Sequence, residues 1–145
     1  MTLVETYCTF PVIEKAKLYR RTIFNYLCGN EDMHLKNYSL ISRDSKVELS
    51  PAYDLLNTSI VLSGDIEESA LPIKGKKKKL NRSILVDYLA YERMKLHERS
   101  ILNIQNEISS TAVSWIDLID RSFLSTKLKD LYKNLLEKRL LKLGL

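Results

Sequence analysis

From Asn81 to the C-terminus, apolar residues recur at helical spacing and no strand-like run interrupts them. The spacing predicts a helix starting near Asn81 or Ser83, with Leu85, Tyr88 and Leu89 facing inward. A second carries Ile101, Ile104 and Ile108, and a third centres on Val113, Ile116 and Ile119. The last begins near Ser125, a good N-cap, and runs through Leu128, Leu131, Leu135 and Leu136 with lysines outside. This part of the chain therefore leaves no room for a large sheet. Upstream, Pro11 to Cys28 reads as another helix: proline suits its first turn, Val12, Ala16, Tyr19, Ile23 and Leu27 repeat at helical spacing, and Gly29 suits the position just past its end. YSLIS and KVEL read as two short strands joined by the turn RDSK. Pro51, in SPAYDLL, forbids a regular continuation of the second strand. Leu56 to Ser69 reads as loop with partial helix, and ALPIKGKKKKL as a strand and a turn. The expected fold is mostly α with a small β-hairpin, one domain over residues 1–145.

Composition agrees with one packed domain. A chain of 145 residues, 45% hydrophobic and 28% charged, can bury a core and is not of the disordered type. No apolar run approaches the roughly 20 residues that span a bilayer, and no secretory pattern opens the sequence. Cys8 and Cys28 lack CxxC spacing, which argues against a disulfide framework or a zinc site and for a cytosolic protein with free thiols. The net charge of +5 is concentrated in KGKKKKL, where five lysines lie between Lys74 and Lys79. That run reads as a solvated turn or as a phosphate-binding patch.

The stretch GNEDMHLKNYSL, Gly29 to Leu40, is the densest in chemistry. Asp and Asn between a helix and a strand often serve only to hold turns, and a lone His34 without companion ligands is no zinc site. The spacing adds a second reading. Protein kinases place a catalytic Asp five residues before a metal-binding Asn, with a further metal-binding Asp beyond. Asp32 and Asn37 have that offset; a strand, a turn and a strand follow, and then Asp54 in SPAYDLL. A carboxylate to accept the proton of an attacking hydroxyl and hard oxygen ligands for Mg²⁺ would thus be brought together by a rigid hairpin.

The intervening residues differ from those of ordinary eukaryotic-type kinases, and Tyr53-Asp54-Leu55 stands where D-F-G would be. GNEDMHLKNYSL followed by LSPAYDLL resembles instead the HipA-type family of bacterial serine/threonine toxin kinases, with its G-N-x-D-x-H-x-K-N loop and P-x-Y-D-L segment. LPIKGKKKKLNR and the helical tail resemble the family's following turn and helices, so the likeness runs from about Tyr19 to the C-terminus. The resemblance implies a protein-kinase-like C-lobe with Asp32 as catalytic base and Asn37 and Asp54 as Mg²⁺ ligands, acting on ATP. His34 would orient the loop by hydrogen bonding. Lys36 would either contact a phosphate or pair with Glu31. Tyr53 would pack beneath the metal site.

The same resemblance implies a toxin–antitoxin setting with a helix-turn-helix antitoxin, a protein substrate, no membrane, and nucleic acid reached only through the antitoxin. A phosphate-covering G-x-G-x-x-G loop and a strand-borne nucleotide lysine are missing, so the expected domain is a C-terminal kinase subdomain whose N-lobe another polypeptide supplies. Two alternatives stay open at this level: a catalytically silent remnant that binds proteins, and a small nucleic-acid-binding helical domain.

Overall fold

The computed structural model describes residues 2–61 and 67–145; Leu62 to Ile66, part of the segment expected to be loop with partial helix, lie outside the described residues. A short helix α1 (Thr2–Tyr7), which the sequence pattern did not announce, leads into α2 (Pro11–Cys28). The bounds of α2 are those expected, with Pro11 in the first turn and Gly29 left-handed at the end (φ 76°). Its buried stripe of Tyr19, Ile23, Tyr26 and Leu27 forms the centre of the core, whereas Val12 is exposed.

The hairpin is β1 (Leu40–Arg43) and β2 (Lys46–Leu49), antiparallel with Leu40 opposite Leu49 and Arg43 opposite Lys46. Asp44 and Ser45 both take positive φ, the geometry that a two-residue turn needs to follow the twist of its strands. Along α2, Glu14, Lys17 and Arg21 are spaced to share one face, and that face holds the hairpin. The buried Glu14 carboxylate accepts from the Leu49 amide at 2.8 Å, Lys17 pairs with Glu48 at 3.3 Å, and Arg21 donates to the Ser50 carbonyl.

ALPIKGKKKKL gives only a single bridge, Ile73 to Lys76, around a turn at Lys74 and Gly75; it is no strand. The lysines there are in part locally engaged: Lys77 pairs with Glu67 at 3.0 Å, and Lys74 lies over the Tyr88 ring at 5.1 Å. The helix expected near Ser83 spans Ser83–Arg93 and is wound as a π-helix, burying Leu85 and Leu89 and half-burying Tyr88.

The second and third expected helices are one, α3 (Glu98–Arg121). The polar run in its middle does not break it, because the Ser110 and Thr111 hydroxyls both donate back to the Glu107 carbonyl at 2.9 Å. Val113 points outward at 76% exposure, and the apolar stripe passes through Ile101, Ile104, Ile108 and Ile119. His97 caps this helix, its Nδ1 accepting from the Arg99 amide. Helix α4 (Thr126–Leu143) starts from the expected cap at Ser125 and packs Leu136, Leu140 and Leu143 against α2 and α3, with Leu131 left exposed.

Gly29 sits where α2, α4 and the loop after Asp54 converge. A Cβ there would lie 2.7 Å from Leu135 Cδ2 and 2.8 Å from both Asn57 Oδ1 and Ser59 Oγ. Its φ adds a penalty for any side chain. Gly29→Ala is expected to lower unfolding stability by about 2–4 kcal/mol, adding backbone strain to overpacking; a urea midpoint equal to wild type would contradict this.

Candidate active site

The polar loop is suspended from the end of α2. The Gly29 carbonyl accepts from the amides of Thr58 (2.9 Å) and Ser59 (3.2 Å) and from the Thr58 hydroxyl, and the Glu31 amide donates to Thr58 Oγ1 at 3.0 Å. The segment after Asp54 is thereby stitched to the segment before Asp32. Asn30, 3% exposed, completes the stitch. Its Nδ2 donates to the Asp54 carbonyl at 3.1 Å, and its Oδ1 accepts from the Asp32 amide at 3.2 Å.

On this frame the Asn37 side chain is buried and donates from Nδ2 twice, to the Asp32 carbonyl at 3.2 Å and to Asp54 Oδ2 at 3.1 Å. Asp54 itself is left-handed (φ 56°), a conformation that Asp tolerates better than bulkier residues do and that here aims its carboxylate back toward Asn37. His34 Nε2 lies 3.2 Å from Asp32 Oδ1. Asp32, His34, Asn37 and Asp54 therefore stand together.

Lys36 is exposed and does not take Glu31. Glu31 is claimed from below: Arg139 Nη2 lies 3.4 Å from its Oε1, both side chains 6–7% exposed, and Ser59 donates to the same oxygen. Tyr53 does not pack beneath the site. It is 45% exposed, and its hydroxyl donates to the Lys36 carbonyl at 2.9 Å, closing the two loops on their outer side.

The donor set suits a hard cation with bound phosphates. Asn37 Nδ2 is committed to Asp32 and Asp54, which fixes the amide so that its other end, the oxygen, is the one left for a metal. Among the described residues no group of three or more His, Cys, Asp or Glu gathers into an all-protein cage. One amide and one carboxylate fit Mg²⁺, which keeps waters and takes its remaining ligands from substrate phosphates.

Three residues that sequence reasoning did not single out hold this geometry: Asn30, Arg21 and Arg139. The signal for Arg139 was its position on the apolar stripe of α4, three residues after Leu136 and beside Leu140. Burial pushes the Glu31 carboxyl above its ordinary range, and Ser59 and Arg139 offset this in part. Among the described residues no helix is long and apolar enough to cross a membrane.

Comparison with known proteins follows the same lines. The family model described as the HipA-like C-terminal domain matches residues 1–116. "Putative kinase Y4dM" of Sinorhizobium fredii is 39% identical over 95 residues, covering 63% of this chain and 22% of that protein. The serine/threonine-protein kinase toxin HipA of Shewanella oneidensis is 40% identical over 53 residues, 37% of this chain and 12% of that protein. In a solved complex of Shewanella oneidensis HipA and HipB with operator DNA, one chain superposes with a TM-score of 0.77 at 24% identity, over 99% of this chain and 34% of that one. This chain thus spans less than a quarter of the length of either curated relative named here.

Replacing Arg139 by Met leaves the Glu31 carboxylate buried without its cation, at an expected cost of about 3–5 kcal/mol near neutral pH. The pH dependence has a definite sign. Glu31 has a raised pKa in the folded state, so its contribution is most favourable below the unfolded pKa and is lost as pH rises through the folded one. Losing Arg139 raises that pKa further, so the deficit of Arg139→Met narrows as pH falls toward the carboxylate range. A deficit independent of pH in denaturant titrations would contradict the buried pair.

Proposed function

This chain belongs to the HipA-like C-terminal domain family, and on that premise we propose that it is the catalytic-loop part of a serine/threonine protein kinase. The observation that carries this reading is the contact of Asn37 Nδ2 with Asp54 Oδ2 at 3.1 Å and with the Asp32 carbonyl at 3.2 Å. It joins the three residues that the chemistry requires.

Asp32 accepts the proton of a serine or threonine hydroxyl on a protein substrate while that oxygen attacks the γ-phosphorus of ATP. The bond to the β-phosphate oxygen breaks, and ADP leaves with its electrons. His34 holds the Asp32 carboxylate in the orientation that meets the hydroxyl. Asn37 and Asp54 would hold Mg²⁺, which when bound would neutralise phosphate charge. Lys36, free of Glu31, reaches a phosphate from the rim. Most of the rate advantage comes from positioning, since the protein supplies little covalent chemistry in phosphoryl transfer.

The nucleotide clamp comes from residues outside these 145. The setting we propose is the cytoplasm of a bacterium, with the kinase as toxin and a helix-turn-helix antitoxin as partner, and with DNA met only through that partner. The HipA–HipB–DNA assembly of the structural relative supports this part of the reading.

Calorimetry with ATP, with and without Mg²⁺, tests the site. The chain is expected to bind ATP only with Mg²⁺, and Asp54→Ala to weaken binding by at least about tenfold. Equal binding by the variant, or binding indifferent to Mg²⁺, would overturn the assignment of Asp54.

A further inference from the structure

We infer that Arg21 is a positioning residue that ties the segment carrying Asn37 to the segment carrying Asp54 through one half-buried guanidinium. The inference rests on the reading of those two segments as the metal-holding pair.

The geometry is specific. Nη2 donates to the carbonyl of Ser50, four residues before Asp54, and the guanidinium carbon lies 5.7 Å from the ring centroid of Tyr38, the residue after Asn37. Ser50 is 5% exposed, so its carbonyl has little access to solvent as a substitute donor. Nη1 is buried and meets no hydrogen-bond acceptor. Desolvation lowers the Arg21 pKa from its usual value, and Tyr38, Tyr53 and Glu14 act against that.

A half-buried guanidinium with one nitrogen shut off from solvent and without an acceptor is costly to keep. What it secures here is the joint between two loops. The amides that report on the joint are themselves hydrogen-bonded: Asn37 to the His34 carbonyl at 2.9 Å, Tyr38 to Leu35 at 3.1 Å, and Ser50 to Ser39 at 2.8 Å. The planar guanidinium can donate to Ser50 and lie on Tyr38 together. A lysine ammonium, a single point charge, cannot donate to Ser50 and lie on the Tyr38 ring at the same time. Arg20, its neighbour in sequence, faces the other way and pairs at the surface with Glu107 at 2.9 Å.

The test is amide hydrogen exchange by NMR on the 145-residue chain without metal or nucleotide, with Mn²⁺ affinity in the presence of ATP as a separate readout. In Arg21→Met the Asn37, Tyr38 and Ser50 amides are expected to exchange about tenfold faster, with the amides of Ile23 and Leu27 unchanged. Arg21→Lys, which also carries the test if the Met variant fails to fold, restores Ser50 but not Asn37 or Tyr38. Arg20→Met changes none of them. Mn²⁺ affinity falls about tenfold in Arg21→Met. Wild-type exchange at all three amides in the Met variant, acceleration spread evenly over the chain, or full rescue by lysine would each overturn the inference. Faster exchange at the three amides with no Mn²⁺ binding by the wild type supports Arg21 as the joint and removes the metal reading. Unchanged exchange with Mn²⁺ bound does the reverse.

Discussion

One buried cation holds the base of the polar loop. The Arg139 guanidinium donates to the Tyr26 carbonyl, lies 4.9 Å from the Tyr26 ring centroid and approaches Glu31 at 3.4 Å. Those contacts fix the last turn of α2, from which Gly29 and Asn30 lead into the polar loop. Taking a guanidinium and a carboxylate out of water costs several kcal/mol, and their attraction only about repays it. The return is in geometry: Glu31 cannot swing out to pair with Lys36, and the loop has one place to start. Tyr26 passes the constraint on, since its hydroxyl donates to the Leu80 carbonyl at 3.3 Å.

Above that base, the site is built from amides as much as from carboxylates. Asn30 and Asn37 are both buried and both spend their side-chain amides on Asp54 and on the backbone around Asp32. Amides can donate and accept in one plane without bringing further charge into a place where charge is expensive. The hairpin sets the distance between the two loops by a ladder that Ser50 extends to Ser39, and Glu14, Lys17 and Arg21 dock it on α2.

Much of this was legible because local chemistry and tertiary need agree. Pro11 and Gly29 bracket α2 as a start and stop should, and Ser125 caps α4 as its side chain predicts. The five-residue offset from Asp32 to Asn37, then a hairpin, then Asp54, marked a constellation that the fold does assemble. What stayed hidden depends on residues distant in sequence. Arg139 and Glu31 are 108 positions apart, and only packing tells that Glu31 is claimed by α4 and not by Lys36. The continuity of α3 was hidden for a local reason: hydroxyls that favour turns can equally fold back onto a helix carbonyl. Tyr53 was expected to pack beneath the metal site, yet it is exposed and its hydroxyl ties one loop to the other. The π-winding of Ser83–Arg93 has no sequence signal that we can name.

The central claim is that Asn37 and Asp54 form one preorganised metal–nucleotide site. Paramagnetic broadening of backbone amide signals, with Mn²⁺ added in small steps in the presence of ATP, measures this most directly. The account predicts that the Asn37 and Asp54 amides broaden first and together, ahead of those of the surface carboxylates Asp117 and Asp120 and of the lysine turn. Broadening centred on those surface positions, with Asn37 and Asp54 unaffected, would contradict it.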